Sequence, residues 1–472
     1  MIRSFLCIVL LSVFLFTTAV QAQIEGLSIW KIAAIRQAKT VCSGVFISGR
    51  TTKDLLINDL DVLDVDTVTI SVDKPGQKVE VTLDDGYVAT AIYRPECGCT
   101  IVLENNEKEI RDQKTQGIPL LPPLSDSKTW PDGEGVNLDS KASPINTRKM
   151  KKAMDYAFDQ SLDNRKLVRG TRSVAVIYDG KIVAEKYADG YSKDMPLITW
   201  SMNKSIVNSL TGILVKQGKL DIYKNAPVPE WKDTADPRHP ITTDQLLRMS
   251  SGLSFVEEYS PQLVDVVVML YGSPDSGRYT ATRPLKSAPD SEWYYSSGTT
   301  NIISRIMRDQ LNDYPSYAAF PYTELFNKLG MHRTIWEMDA SGTFVGSSFG
   351  YSTARDMARF GQFLLQDGVW NGERILPEGW VEYSTTATPM AKKGDYGAQI
   401  WLNHGEKGNP SNRRWPHLPT DAFGFSGFEG QSVAIIPSRN AVIVRLGRTE
   451  GGRAAWDQDI FMDKVLKALP KD

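Results

Sequence analysis

The sequence predicts an α/β protein in which an antiparallel sheet meets a mostly helical lobe, and three observations predict it. Residues 174–178 and 182–187 are apolar β-type runs on either side of Asp179-Gly180, the strongest short hairpin signal. Residues 432–436 and 441–446 form a second such pair around Pro437-Ser438-Arg439-Asn440. Between the two, apolar residues recur at helical spacing, with Ile206, Leu210, Ile213 and Leu214 in one run and Ile302, Ile303, Ile306, Met307 and Leu311 in another.

In chain order, Met1-Ile2-Arg3 is a short positive region, residues 5–16 are almost unbroken apolar, and Val20-Gln21-Ala22 suits cleavage before Gln23. This predicts an export signal over 1–22 and a periplasmic or secreted mature protein. About twelve apolar residues fall short of the roughly twenty that span a bilayer. Cys7 lies inside the apolar run and not at the cleavage point, so no membrane anchor is expected after signal removal. From 41 to 101 the pattern is short β-like runs, such as 67–70 and 79–82, broken by Asp-Gly and Pro-Gly turns. We therefore expect a small β-rich extension over 23–118. A connector rich in Pro, Gly and Asp follows over 119–140, then the main domain over 141–472, opening with a helix through Met150 to Phe158. A further helix is expected over 244–253, ending at Ser251-Gly252.

The 472 residues are 41% hydrophobic and 23% charged with a net charge of −2, an ordinary globular balance with material for one large domain and a smaller one. The slightly acidic balance, without basic clusters, speaks against nucleic acid and anionic membranes as partners. Cys42, Cys97 and Cys99 remain after the signal. In an oxidising compartment two should pair, and Cys97 and Cys99, with only Gly98 between them, are badly placed to bond each other. Cys42 is expected to join one of them. Three soft ligands without an adjacent histidine make a poor zinc site, so no metal is expected.

Candidate chemistry centres on Ser201-Met202-Asn203-Lys204. Ser-x-x-Lys also occurs at Ser28/Lys31, Ser71/Lys74 and Ser125/Lys128, but only the fourth pair opens a predicted helix, with Gly218 as a plausible C-terminal cap. Residues three apart on a helix share a face, so Ser201 and Lys204 can meet. A serine hydroxyl is a poor nucleophile until a base takes its proton, and burial can lower a lysine's pKa enough for it to serve. A serine in the first turn also has an unpaired backbone N–H that can bind an oxyanion. A second motif is Tyr294-Tyr295-Ser296-Ser297-Gly298, between a turn at Pro289-Asp290 and a helix. Held next to Lys204, a tyrosine there could relay a proton, its pKa lowered by the ammonium. The third is Gly427-Phe428-Glu429-Gly430-Gln431, a glycine-flanked entry to a hairpin where backbone could approach ligand closely.

In this order the three motifs resemble the penicillin-recognising serine hydrolases, the superfamily of class C β-lactamases and DD-peptidases, and within it the 6-aminohexanoate-dimer hydrolase type of amidase/esterase. Residues 241–253 and 354–361 are similar to segments of that family outside its active site. The resemblance implies a β-lactamase/transpeptidase-like fold, Ser201 as acylated nucleophile, Lys204 as its base and Tyr295 as partner acid/base. It also implies Ser297 where relatives often have asparagine, and Phe428-Glu429-Gly430 in place of the β-lactamase Lys-Thr-Gly. Ser297, Phe428 and Gly430 would then contact substrate, with the backbone N–H groups of Ser201 and Gln431 as oxyanion donors. Residues 42–46 with 98–100 resemble the N-terminal extension of some relatives, which implies a Cys42–Cys99 bridge and leaves Cys97 odd. The implied activity is cofactor-free cleavage of a small linear amide or ester. Two rivals are a DD-peptidase or β-lactamase acting on peptidoglycan stems or β-lactams, and a catalytically silent binding protein on the same scaffold. A last expectation is that Phe428, with the Glu429 carboxylate beside it, disfavours the carboxylate of a β-lactam.

Overall fold

The computed structural model describes residues 27–60, 68–104, 106–136, 138, 145–161, 167–259 and 263–470, and the expected signal at 1–22 lies outside them. The main domain is built on a six-stranded antiparallel sheet. Its strands are β5 (Thr171–Tyr178), β6 (Lys181–Tyr187), β7 (Trp401–Leu402), β8 (Phe423–Gly427), β9 (Gln431–Ile436) and β10 (Ala441–Gly447), in the spatial order β7-β8-β9-β10-β5-β6. Both expected hairpins form. Asp179 and Gly180 take φ 49° and 68°, the left-handed geometry of a two-residue hairpin loop, and Asn440 turns the β9–β10 corner at φ 41°.

Strand alternation decides which helices cover which face. Val174 and Val176 of β5 pack with Ile443 of β10 beneath helices α2 (Thr147–Phe158) and α7 (Gln458–Leu466). Ala175 and Ile177 point the other way with Val442 and Val444, into the core shared with the helical lobe. That lobe includes α3 (Asn203–Lys216), α4 (Asp265–Tyr271), α5 (Ser297–Asp309) and α6 (Ala354–Leu365). Gly361 lets α6 lie close on the sheet, since a Cβ there would stand 2.6 Å from Val442 Cγ1. The helix expected over 244–253 is shorter: it ends at Leu247, because Met249 turns to φ 60° and starts a loop.

The N-terminal region has a four-stranded antiparallel sheet, β1 (Val68–Asp73), β2 (Lys78–Leu83), β3 (Val88–Arg94) and β4 (Gly98–Val102), in sequential order. It also contains α1 (Ile29–Phe46), an 18-residue helix that sequence patterning did not reveal. Ser28 caps it by accepting from Lys31 N (3.2 Å), so the Ser28/Lys31 pair opens a helix after all. Much of α1 is buried on more than one side, which erases the one-sided stripe by which a helix is read. Cys42 of α1 is paired with Cys99 of β4, S–S 1.95 Å, and Cys97 is free and buried.

Polar clusters join the parts, Arg172 with Asp59 (2.7 Å) among them. Lys39 of α1 ion-pairs with Glu337 of the main domain, whose Oε1 also accepts from Ser43 Oγ (2.7 Å) and Cys99 N (2.7 Å). In the connector, buried Glu134 pairs with Arg355 (2.9 Å) and Arg359 (2.8 Å) of α6. Isolated charges could not remain ionised at these depths, so each cluster stands or falls as a set.

Candidate active site

Ser201 lies in a 3-10 turn (Trp200–Met202) immediately ahead of α3, at the junction of the sheet and the helical lobe. Trp200 holds φ 49°, unfavourable for a bulky L-residue. The turn is held by Asn203 Nδ2, which donates to Trp200 O (2.8 Å), and by Thr199 Oγ1, which donates to Gly350 O (2.9 Å). Ser201 stays partly exposed while Lys204, one turn on, is 1% exposed. The apolar and small residues of α3 thus sink the helix into the lobe and leave only its mouth open.

Lys204 Nζ donates to three oxygens: Ser201 Oγ (2.9 Å), Ser297 Oγ (2.9 Å) and Ser347 O (3.1 Å). The Ser297 hydroxyl donates in turn to Glu257 Oε1, and Ser297 N donates to Glu257 Oε2 (2.7 Å). Burial pulls Lys204 down to about 8, partly opposed by the Glu257 carboxylate, and burial pushes Glu257 up. A neutral amine would need one donor for its lone pair. Ser347 offers a carbonyl, and the Ser297 hydrogen is committed to Glu257. Only the Ser201 hydroxyl has a hydrogen to give, so deprotonated Lys204 accepts from the nucleophile itself.

Tyr295 stands beside this pair, its ring 4.9 Å from Lys204 Nζ and stacked on Trp401 at 5.4 Å, with its hydroxyl hydrogen-bonding to the Ser201 side chain. Its pKa moves opposite to expectation. Burial and then the Glu257 charge push the phenol well above its ordinary value, which keeps it protonated at rest as a hydrogen-bond donor and not a tyrosinate base. Ser297 is fully buried behind Lys204, where its hydroxyl links that amine to Glu257.

At the third motif the glycine packed on the nucleophile turn is Gly427, three residues earlier than the expected Gly430. A Cβ on Gly427, the last residue of β8, would lie 2.4 Å from Thr199 O and 3.1 Å from Trp200 Cβ. At Gly430 (φ 83°) the same test points away from Ser201, to Arg445 Nη1 (2.8 Å) and Thr449 Oγ1 (2.9 Å). A side chain at Gly430 would thus meet Arg445 and Thr449 and not the nucleophile turn. Gln431 is tied by its side chain to Gly447, accepting from Gly447 N (2.8 Å) and donating to Gly447 O. Buried Arg445 braces the intervening turn by donating to Glu429 O (3.1 Å) and Gly430 O (2.9 Å). Phe428 is 38% exposed, stacked on Tyr259 (4.7 Å) and edge-on to Trp200 (5.6 Å). The Glu429 carboxylate accepts from Trp200 Nε1 (3.2 Å) and pairs with Arg448 (3.3 Å).

Three functional groups escaped the sequence reading. Glu257 sits in Glu257-Glu258-Tyr259, where an acid doublet was the available signal; Ser347 acts through its carbonyl, which any residue type has. Arg414, in Arg413-Arg414-Trp415, lies over the Trp401 ring at 3.8 Å with Nη2 3.4 Å from Ser426 Oγ, and burial lowers it to about 10. It puts a cation near the third motif where none was expected. Among the described residues, no cluster of three or more His, Cys, Asp or Glu could hold a metal ion, and no helix is long and apolar enough to cross a membrane.

An antiparallel sheet meeting a helical lobe, with serine, lysine and tyrosine converging at the junction, defines a β-lactamase-like hydrolase architecture. The beta-lactamase family model matches residues 158–463, and the chain belongs to that family of serine hydrolases. It is 25% identical over 304 residues to a 6-aminohexanoate-dimer hydrolase of Paenarthrobacter ureafaciens, covering 58% of this chain and 72% of the relative. Among solved structures, a family VIII carboxylesterase superposes with TM-score 0.54 at 15% identity, over 71% of this chain and 99% of its own. A class C beta-lactamase in complex with cefoxitin does so with TM-score 0.50 at 16% identity, over 69% and 100%.

Proposed function

We propose that this protein hydrolyses an amide or ester bond of a small linear substrate through an acyl-enzyme on Ser201. The observation that carries the reading is the hydrogen-bond inventory of Lys204, which leaves the Ser201 hydroxyl as the one donor to its neutral amine. Lys204 takes the Ser201 proton as Oγ bonds the carbonyl carbon. The oxyanion is received by the backbone N–H of Ser201 and, at the strand end packed against the nucleophile turn, by that of Phe428 in place of Gln431. Tyr295 delivers a proton to the leaving amine or alcohol as the C–N or C–O bond breaks. The Lys204 ammonium returns its proton to the Tyr295 phenolate, and water then attacks the acyl-enzyme, neutral Lys204 taking the water proton and passing it to Ser201 Oγ as the acyl C–O bond breaks. The residues used need no metal or organic cofactor. The basic, apolar and small-residue run over 1–22 supports action outside the cytoplasm.

The test is turnover of p-nitrophenyl acetate and a linear amide, with fluorophosphonate labelling. Ser201→Ala should lose on the order of a thousandfold or more in kcat and all labelling. A wild type that neither turns over nor labels is the silent binding protein instead. Arg414 favours a second reading, in which the substrate carries a carboxylate. A kcat/KM for a chromogenic cephalosporin above that for the neutral ester would replace the amidase/esterase reading with the β-lactamase or DD-peptidase one.

A further inference from the structure

Beside the nucleophile turn lies a cavity of about 1020 Å³, at the upper end of small-molecule sites. Its walls come from both parts of the molecule. Ile29, Ile32, Ala33 and Arg36, one face of α1 by their spacing, form one side. Opposite stands the turn Gly427–Gln431, with Val267 and Tyr271 of α4 closing over the space. Trp200, adjacent to Ser201, and Phe428, edge-on to Trp200, line the cavity although Ser201, Lys204 and Tyr295 do not, so the cavity borders the nucleophile turn.

Several of the charges around it are matched to one another, while Arg36 and Arg414 also stand in its wall. Glu429 pairs with Arg448, Arg448 with Glu450, and Arg453 with Asp457 (3.0 Å). Pairing of this kind neutralises the side formed by residues 448–457, Arg414 lies at the third motif, and the aliphatic and aromatic surfaces between them remain to be covered. We infer that the cavity receives the apolar acyl chain of the substrate, past Phe428, and that α1 makes the N-terminal region a determinant of chain-length specificity. The inference rests on the hydrolase reading above and adds the substrate class: esters or amides of medium to long aliphatic acids. Each methylene transferred from water into such a site is worth about fourfold in binding, so even a chain buried in part gives a large preference.

The experiment compares kcat/KM for p-nitrophenyl decanoate and p-nitrophenyl acetate in the wild type and in Ala33→Trp, which narrows the space from the α1 side. Ile29→Trp, at an exposed position of the same wall, is a second variant should the first not fold. We expect the wild type to favour decanoate, and the decanoate-to-acetate ratio to fall at least about tenfold in either variant. Calorimetry of decanamide against Ser201→Ala protein reads the same site without turnover: decanamide should bind, acetamide should not, and Ala33→Trp in that background should weaken binding by about tenfold or more. A wild-type preference for acetate, an unchanged ratio, or decanamide binding indifferent to the variants overturns the inference. Absence of all ester turnover counts against the hydrolase reading alone, and the calorimetric arm still decides the cavity's occupant.

Discussion

Lys204 must be neutral to accept from Ser201, and its environment pulls it in two directions. Burial lowers it to about 8, and the Glu257 carboxylate, reaching it through Ser297, holds it up. The acid limb of the kcat/KM profile should therefore fall near pH 8, with activity rising as the ammonium loses its proton. Removing the carboxylate charge removes what favours the ammonium, so Glu257→Gln should move that limb to lower pH. The groups facing the amine are Ser201, Ser297, the Ser347 carbonyl, the Tyr295 ring and, beyond Ser297, Glu257; none of the others carries a formal negative charge at that pH. A limb that stays in place would show that Glu257 only positions Ser297. Tyr295→Phe should lower kcat sharply and non-additively with Lys204→Ala, since both serve one proton transfer.

The element that sets the site is the end of β8. Gly427 is packed so closely on Thr199 and Trp200 that any side chain must displace the nucleophile turn. Gly427→Ala should therefore cost about a hundredfold in kcat/KM, the penalty of a misplacement of roughly 1 Å, with little change in global stability. Gly430→Ala should behave oppositely, because its φ of 83° and its approach to Arg445 strain the folded state away from Ser201. Unfolding by denaturant, read alongside ester kinetics, separates the two. Equal activity losses in both variants would return the third motif to Phe428–Gly430. The sequence shows the glycines but not which of them faces the serine, because that depends on the register of β8 against the turn.

Over the whole molecule, the N-terminal region and the main domain share a core in which Trp200, Tyr271 and Phe349 pack with residues of α1 and the first sheet. Lys39–Glu337 is one ionic link between these parts, and Arg172–Asp59 is another. Lys39→Met leaves the Glu337 carboxylate buried without its cation and should cost about 3–5 kcal/mol in denaturant unfolding. Lys39→Met with Glu337→Gln should recover part of that loss. Cys42 and Cys99 close a loop of 57 residues in the same region, a constraint worth roughly 3–4 kcal/mol on the unfolded chain. Burial pushes the Cys97 thiol up to about 11, too high for ready exchange with them. Non-reducing peptide mapping should show Cys42 linked to Cys99; a Cys42–Cys97 peptide, or none, contradicts this.

Local sequence determined what is local. Asp179-Gly180 makes a hairpin in nearly any context, and the i, i+3 spacing of Ser201 and Lys204 brings the two together once a helix forms. The class of protein was legible for the same reason, since it is written in short motifs and their order. Helix α1 was hidden because burial on several sides leaves no polar stripe to read. The partners of Lys204 were hidden because Glu257, Ser297 and Ser347 come from segments more than forty residues away and act through distance, burial and, for Ser347, a backbone carbonyl. The orientation of Glu429, turned to Trp200 and Arg448, follows from a left-handed backbone at φ 61° that residue identity does not announce. Spacing along the chain specifies which groups can be neighbours on one element; which charges face the same space is set only when separate elements pack and exclude water.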